Sequence, residues 1–284
     1  MISSADINRS KFTSCGEVVI LTTGNRSIFS LINGLCFETG NTACASQSAL
    51  SPPPEETRAN EWWVPKFGPP RFRLLVGLTY YPYTAMNAAY VAIGSLLSPS
   101  VHFERLGLLL LVYILAVGLG AHSLDALAPN KPWGRFLTRR QLTGLALAGL
   151  VPAIGLGLFL ALSYSLLLLA IGAAELFLLL AYNLEWFGAR FHTDVWFALS
   201  WGLLPVLAGY ALQGGFPGPA ALAAGTFGFS TAYLEISASR PYKAMKKDPS
   251  LGTPGLAAKF ERVLKSVVAS VVAAAVTLLA FRLG

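Results

Sequence analysis

Residues Leu142–Leu162 have the sequence LTGLALAGLVPAIGLGLFLAL, a run without a single charged side chain. A helix needs about 20 apolar residues to cross a hydrocarbon core of about 30 Å. A run of this length and composition therefore predicts a helix that spans a membrane, and it sets the class of fold that the rest of the chain must fit.

Six further apolar segments lie on either side of this run, between Arg71 and Arg282. They predict an all-α fold, a polytopic transmembrane helical bundle of about seven spans. A soluble helical protein is the alternative, but 54% hydrophobic and 12% charged residues, concentrated in such runs, argue against it. The further segments are Leu74–Leu97, Leu106–Ala121, Leu166–Tyr182, Val195–Leu212, Ala220–Ile236 and Val267–Phe281.

Positive charge is distributed unevenly between the two ends of these segments. Between Lys66 and Arg282, fifteen Lys and Arg residues fall on the N-terminal side of the membrane, whereas Arg105 and Arg282 fall on the other. The positive-inside rule then places the N-terminus in the cytoplasm and the C-terminus outside. We attribute the net charge of +7 to this topology and to attraction towards anionic lipid heads, not to nucleic-acid binding.

The first 66 residues differ in composition from the transmembrane domain, residues 67–284. They are rich in Ser, Thr, Asn and Gly, and we expect a poorly ordered polar extension without a signal peptide. Cys15, Cys36 and Cys44 all lie here and are expected to be free thiols if the N-terminus is cytoplasmic. Trp62 and Trp63 are typical of an interfacial belt or of a short helix on the membrane surface.

Polar side chains gather where the second segment ends. His122 and Asp125 are three residues apart, so a continuing helix turns both side chains to the same face. Lys131 and Arg135 follow in the next loop on the cytoplasmic side. The end of this segment is therefore a candidate site.

Two later loops on the same side carry the same kinds of group. Carboxylates thus occur at the cytoplasmic mouth of all three helical hairpins, and we expect a pocket that opens to the cytoplasm. The alternative is that helix ends at a membrane interface are simply polar. The residues concerned are Asn183, Glu185, Arg190, His192 and Asp194 after the fourth segment, and Glu235, Arg240 and Lys243 after the sixth.

Carboxylates beside imidazoles at a membrane edge have the chemistry of a divalent-cation site. Oxygen ligands favour Mg²⁺, and histidine shifts the preference towards transition metals. Basic side chains nearby suit a phosphate or diphosphate, whose leaving charge a metal would neutralise. The candidate metal ligands are His122, Asp125, His192, Asp194 and Glu235.

Glu175 is a separate case, because it lies in the middle of the fourth segment. An ionised carboxylate is costly there, and acids within spans usually face the bundle interior or a water-filled cavity. We expect Glu175 to do the same, in either a structural or a functional role.

The stretch His122-Ser-Leu-Asp125, followed by Asn130-Lys131-Pro132, resembles the first aspartate-rich motif of the UbiA superfamily of intramembrane prenyltransferases. The family's second acidic motif follows its sixth helix, where this chain has Glu235 and then Ser239-Arg240-Pro241-Tyr242-Lys243. The stretch Tyr182–Glu185 also resembles the family's fourth-to-fifth hairpin. The resemblance covers roughly residues 67–265 and agrees with the predicted orientation.

The resemblance implies a helical bundle around a cavity for an isoprenoid chain. It also implies metal-assisted transfer of an isoprenoid group from a prenyl diphosphate to a lipid-like acceptor, with Asp125 and Glu235 as catalytic ligands of metal or diphosphate. The implied cofactor is a divalent cation, Mg²⁺ before a transition metal. The candidate substrate-binding residues are Lys131, Arg135, Asn183, Arg190, Arg240 and Lys243.

Two other functions stay open. A bundle that keeps the fold without the metal site would be a non-catalytic membrane protein that binds a lipid or quinone-like ligand. A transporter is the third alternative, since Pro82, Pro152 and Pro205 interrupt spans, but they show no internal symmetry.

Overall fold

The computed structural model describes residues 21–23, 26–28, 61–128 and 137–284 of the chain. The chain divides into two compact units, Met1–Ser51 and Pro52–Gly284. In the first unit, strands β1 (Leu21–Thr23) and β2 (Arg26–Ile28) form an antiparallel hairpin with Leu21 opposite Ile28. The predicted poor order of the extension falls almost entirely on residues outside the described ones, as do all three cysteines.

The second unit is helical throughout its described ranges, 61–128 and 137–284, which confirms the all-α prediction there. The two short strands of the first unit are the exception to that class. The helices are α1 (Pro70–Leu78), α2 (Tyr81–Leu96), α3 (Phe103–Tyr113), α4 (His122–Ala126), α5 (Arg139–Tyr164), α6 (Leu167–Asn183), α7 (Trp186–Ala189), α8 (Asp194–Ala198), α9 (Leu204–Leu212), α10 (Pro219–Lys247) and α11 (Pro254–Leu283).

Four continuous helices are long and apolar enough to cross a membrane. Leu167–Asn183 is apolar but shorter. The remaining predicted segments, the first and the sixth, coincide with helices α2 and α10. The four long helices are Phe103–Ala126, Arg139–Tyr164, Asp194–Leu212 and Pro254–Leu283.

The first predicted segment is not one helix, because the chain breaks between α1 and α2. Tyr80 lies at the break in the left-handed conformation, with φ 44° and ψ 47°. The break places Pro82 in the first turn of α2, where its missing N–H has no helical partner to lose. A left-handed tyrosine is strained by about 1–3 kcal/mol, so the surrounding packing must hold it.

Two other helices widen locally into π-helix. The segment π1 (Ile114–Ala121) joins α3 to α4, and π2 (Leu199–Leu203) joins α8 to α9. Pro205 has no N–H for the carbonyl of Trp201, four residues earlier, and that carbonyl accepts a hydrogen bond of 2.8 Å from Nδ2 of Asn87. Such π segments are frequent at functional sites.

Small residues let the helices approach closely. A Cβ added to Gly202 of π2 would lie 2.2 Å from the carbonyl oxygen of Gly228 of α10. A Cβ on Gly209 of α9 would lie 2.1 Å from the carbonyl oxygen of Val91 of α2. This is the packing expected between helices in a membrane, where close backbone contact replaces the hydrophobic effect.

Helix α11 is hydrogen-bonded to the C-terminal end of α2. In α11, Arg282 donates from Nε to the carbonyl of Leu96 at 2.7 Å and from Nη2 to the carbonyl of Ser98 at 2.5 Å. A cation at this place also complements the negative end of the α2 dipole. The guanidinium therefore caps the C-terminus of α2.

Candidate functional site

A cluster of polar and aromatic side chains forms where four parts of the bundle meet: the break before α2, α4, π2 and α10. We call Tyr80, His122, Asp125, Trp201, Glu235 and Lys243 the mouth cluster. The ring of His122 lies 4.9 Å from that of Tyr80 and 5.9 Å from that of Trp201, centroid to centroid. Nζ of Lys243 lies 5.6 Å from the centroid of the Tyr80 ring, a cation–π distance. The ring of Tyr80, which lies at the break between α1 and α2, therefore contacts His122 at the start of α4 and Lys243 near the end of α10.

The charges of this cluster act on one another. Asp125 and Lys243 both lie close enough to His122 to interact with it electrostatically. Lys243 also attracts Glu235, which is 3% exposed. Lys243 thus interacts with His122 at the end of the second predicted span and with Glu235 at the end of the sixth.

Several buried polar atoms of this region lack a hydrogen-bond partner among the described residues. Native proteins pair most such atoms, and an orphaned one marks a place where a ligand or water completes the site. Because these atoms come from α2, α4, π2 and α10, they point to a shared site and not to one irregular helix. They are Oδ1 of Asn87, Nδ1 of His122, Oγ of Ser123, Nε1 of Trp201, Oε2 of Glu235 and Oγ of Ser239.

A second group of predicted residues is engaged differently. Arg240 of α10 forms an ion pair with Asp194 and donates from Nη2 to the carbonyl of His192 at 3.2 Å. The ring of His192 stacks on Tyr182 at 4.2 Å, and its Nδ1 lies 3.0 Å from the Tyr182 carbonyl oxygen. These contacts fasten the loop before α8 to α10.

The other candidate residues are spread over the same end of the bundle. Asn183 ends α6 and donates from Nδ2 to the carbonyl of Leu179 at 2.8 Å. Arg190 is exposed at the end of α7. Lys131 and Arg135 fall outside the described residues, so their predicted role in binding phosphate stays a prediction.

The described side chains do not fit the metal site that the resemblance implies. Within residues 61–128 and 137–284, no three His, Cys, Asp or Glu side chains converge to hold an ion. Two of the five predicted ligands have other partners, since Asp194 pairs with Arg240 and His192 faces the Tyr182 carbonyl. No step of a mechanism is therefore assigned to a metal.

A cavity of about 420 Å³ shares Trp201 with the mouth cluster. Its wall is mostly aliphatic, and the polar groups Asn87, Asn183 and Ser200 join Trp201 in lining it. An apolar chamber with a few convergent polar groups is typical of a small-molecule site. Among the aliphatic wall residues are Leu109, Val112, Leu150, Leu158, Leu169 and Leu176.

Glu175 lines the same cavity, as expected for an acid within a span. The hydroxyl of Tyr113 donates to Oε1 of Glu175 at 2.6 Å. The pair bridges α3 and α6. Tyr113 and Glu175 thus add polar groups to a mostly aliphatic wall, and neither residue belongs to the stretches that resemble the acidic motifs.

The segment that precedes α1 packs against the end of α10. Oη of Tyr242 lies 2.8 Å from Oε2 of Glu61 and 3.2 Å from Oε2 of Glu261. Burial raises the pKa of the Tyr242 phenol well above its usual value, and the charge of Glu61 acts in the same direction. Trp63 is buried and donates from Nε1 to the carbonyl of Gly77 at 3.2 Å. The predicted interfacial role of the tryptophan pair stays a prediction.

Sequence reasoning missed Tyr80, Asn87, Trp201 and Ser239. Asn87 had a usable signal, because an amide inside an apolar segment requires a partner. Tyr80 had one in Pro82, which removes a helical hydrogen bond and therefore favours a kink or a break in the preceding turn. Trp201 and Ser239 lie in stretches that resemble the family, but neither was assigned to the site, since only the packing of π2 and α10 brings them to this region.

The chain was compared with models of protein families, with curated proteins and with solved structures, and none of the three comparisons found a match.

Proposed function

We propose that this chain is an integral membrane protein of about seven spans, with its N-terminus in the cytoplasm, that binds a lipid-like molecule. The apolar tail occupies the cavity, and the polar head lies at the mouth cluster on the cytoplasmic side. The ligand is an isoprenoid or quinone-like amphiphile.

One observation carries the proposal: an aliphatic cavity ends at Trp201, beside buried polar atoms without partners. Its volume of about 420 Å³ suits part of a long hydrocarbon chain. Transfer of a hydrocarbon tail from water to an apolar cavity is favourable by about 0.8 kcal/mol for each CH₂ group. Transfer from the bilayer brings no such gain, because the tail is already in an apolar environment. The polar head must therefore supply the selectivity.

The mouth cluster has the groups that a polar head needs. Lys243 supplies a positive charge, His122 and Trp201 supply ring nitrogens, and Glu235 supplies a buried carboxyl oxygen. A head with both donor and acceptor atoms would satisfy them together. A purely hydrocarbon ligand would leave the buried atoms of His122, Trp201 and Glu235 without a hydrogen bond, at about 1–3 kcal/mol for each group.

The test is to fill the cavity. Gly172 lines it, and a Cβ there meets open space, so Gly172→Phe places a ring where the tail would lie. A long-chain isoprenoid alcohol at about 100 times its dissociation constant should stabilise the wild type by about 2.7 kcal/mol in thermal unfolding, and Gly172→Phe should lose that gain. The control is Gly155→Phe, since Gly155 also faces open space but does not line the cavity. Equal stabilisation of both variants, or none of the wild type, would refute the proposal.

Transfer of an isoprenoid group is the second candidate. The observation in its favour is that Asp125 and Lys243 both act on His122, and that Lys243 also acts on Glu235, so both motif positions of the resemblance belong to one set of interacting charges. In such a reaction the carbon–oxygen bond of the prenyl diphosphate breaks, diphosphate leaves with the electron pair, and an acceptor bonds to the allyl cation. The test is release of diphosphate from a labelled donor, with and without Mg²⁺, in wild type and in Asp125→Asn and Glu235→Gln. Release that both variants retain would exclude Asp125 and Glu235 from the reaction, and no release by the wild type would eliminate transfer and leave binding as the function.

A further inference from the structure

We propose that Glu175 and Tyr113 form a second polar subsite inside the cavity, which binds a neutral oxygen of the ligand, either a carbonyl or a hydroxyl. The inference rests on the proposed binding of a lipid-like molecule. It adds that the part of the ligand lying deep in the membrane carries an oxygen of its own.

The geometry separates this subsite from Asn183, the polar residue that lines the cavity at the end of α6. Glu175 and Asn183 both line the cavity from α6 and are eight residues apart, which corresponds to about 12 Å along a helix. Leu176 and Leu179 lie between them in the wall. A ligand held by its head near Asn183 therefore reaches Glu175 with atoms well down its length.

The hydrogen bonds of the pair decide what it can recognise. Tyr113 donates its hydroxyl hydrogen to Oε1 of Glu175, so Tyr113 has no further hydrogen to offer. Among aliphatic neighbours a neutral carboxylic acid is less costly than a carboxylate, and a neutral acid has one O–H to donate. The complementary ligand group is an uncharged acceptor oxygen. An anionic phosphate would be expelled by the same aliphatic wall.

The ligand has a route to this subsite from the bilayer. Ile154 and Leu158 of α5 and Leu169 of α6 line the cavity and are each more than one third exposed. A Cβ at Gly172 of α6 would meet open space, and one at Gly157 of α5 would meet only Cγ1 of Val112, at 4.0 Å. A membrane-dissolved molecule can therefore enter between α5 and α6 without passing the mouth cluster.

The test compares three probes with the same chain: a decyl benzoquinone, decanol and decane. In the purified full-length protein, we expect the two oxygenated probes to bind roughly tenfold tighter than decane, the effect of one buried hydrogen bond. Glu175→Leu should abolish that preference, whereas Glu175→Gln should keep most of it, because the amide still donates. Leu147→Met, a change on the exposed side of α5 that does not line the cavity, should alter nothing. The quinone and alcohol arms identify which oxygen the subsite prefers.

Infrared difference spectra give a readout that does not depend on the folding of Glu175→Leu. Adding the quinone should shift the carbonyl band of a neutral carboxylic acid in the wild type, and Glu175→Gln should lack that band. Equal affinity for all three probes, a preference that survives Glu175→Leu in the folded protein, or an unshifted band would each overturn the subsite while leaving tail binding intact. Failure of every probe to bind would instead overturn the proposed function.

Discussion

His122 and His192 show how one residue type takes two roles at the same end of the bundle. The ring of His192 is stacked, and its Nδ1 faces a carbonyl oxygen. The ring of His122 is packed between two aromatic rings, but its Nδ1 is buried without a partner among the described residues. The contacts of His192 stabilise a loop, whereas the buried Nδ1 of His122 is available to a ligand.

Replacing each histidine by phenylalanine should separate these roles. His122→Phe keeps an aromatic ring and removes an unsatisfied nitrogen, so we expect the free energy of unfolding to stay within about 1 kcal/mol of wild type. The affinity for an amphiphile should fall about tenfold, since the head loses one hydrogen bond. Chemical unfolding in detergent and ligand titration measure the two quantities.

His192→Phe is the matched control with the opposite expected pattern. It removes the contact of Nδ1 with the Tyr182 carbonyl, which should lower the free energy of unfolding by about 1 kcal/mol and leave ligand affinity unchanged. If both variants lost stability equally and neither lost affinity, His122 would be a packing residue only.

At the scale of elements, the contact between π2 and α10 is set by two glycines. The Cβ that Gly228 lacks would lie 2.5 Å from the carbonyl oxygen of Gly202, which is backbone and cannot swing aside. Gly225, three residues earlier on α10, would place its Cβ 3.5 Å from Cγ of Leu203, an ordinary contact. Helix α10 therefore has one glycine, Gly228, that cannot accept a Cβ without a backbone shift, and another, Gly225, that can.

Gly228→Ala should destabilise the protein by about 2 kcal/mol, because the two helices must separate to admit the methyl group. Gly225→Ala should be neutral or stabilising by up to about 1 kcal/mol, because alanine favours the helix. Thermal unfolding of both variants in one detergent decides the matter. Equal stability of the two variants would mean that α10 and π2 are not packed this closely.

The same elements show what the sequence can predict. Apolar runs predicted seven helical segments, since a backbone buried in lipid must satisfy its own hydrogen bonds. Helices lie at these places, but the first segment is broken at Tyr80, and among the described residues four continuous helices are long and apolar enough to cross a membrane. The break at Tyr80, the π segments and the cavity were not predicted, because each depends on contacts between distant parts of the chain.

Asp194 shows the same limit for a single residue. Its carboxylate suggested a metal ligand, whereas the structure pairs it with Arg240, 46 positions further along the sequence.

At the scale of the whole molecule, the proposed orientation follows from positive charge in the loops. It predicts that residue 100, after α2, and residue 250, before α11, lie on opposite sides of the membrane. Ser100→Cys and Ser250→Cys, each in a chain without its three native cysteines, should differ in labelling by a membrane-impermeant maleimide added to intact cells. Only Ser100→Cys should react before the cells are opened. Labelling of both, or of Ser250→Cys alone, would contradict the orientation.

The cap that Arg282 places on α2 has a consequence for how the protein is made. Its two hydrogen bonds join carbonyls of residues 96 and 98 to a guanidinium 186 and 184 positions later. A ribosome delivers these partners far apart in time, so the end of α2 must wait in the bilayer with exposed carbonyls until α11 emerges. Every helix synthesised in between has the opportunity to shield it, and the cap forms only once α11 has been made.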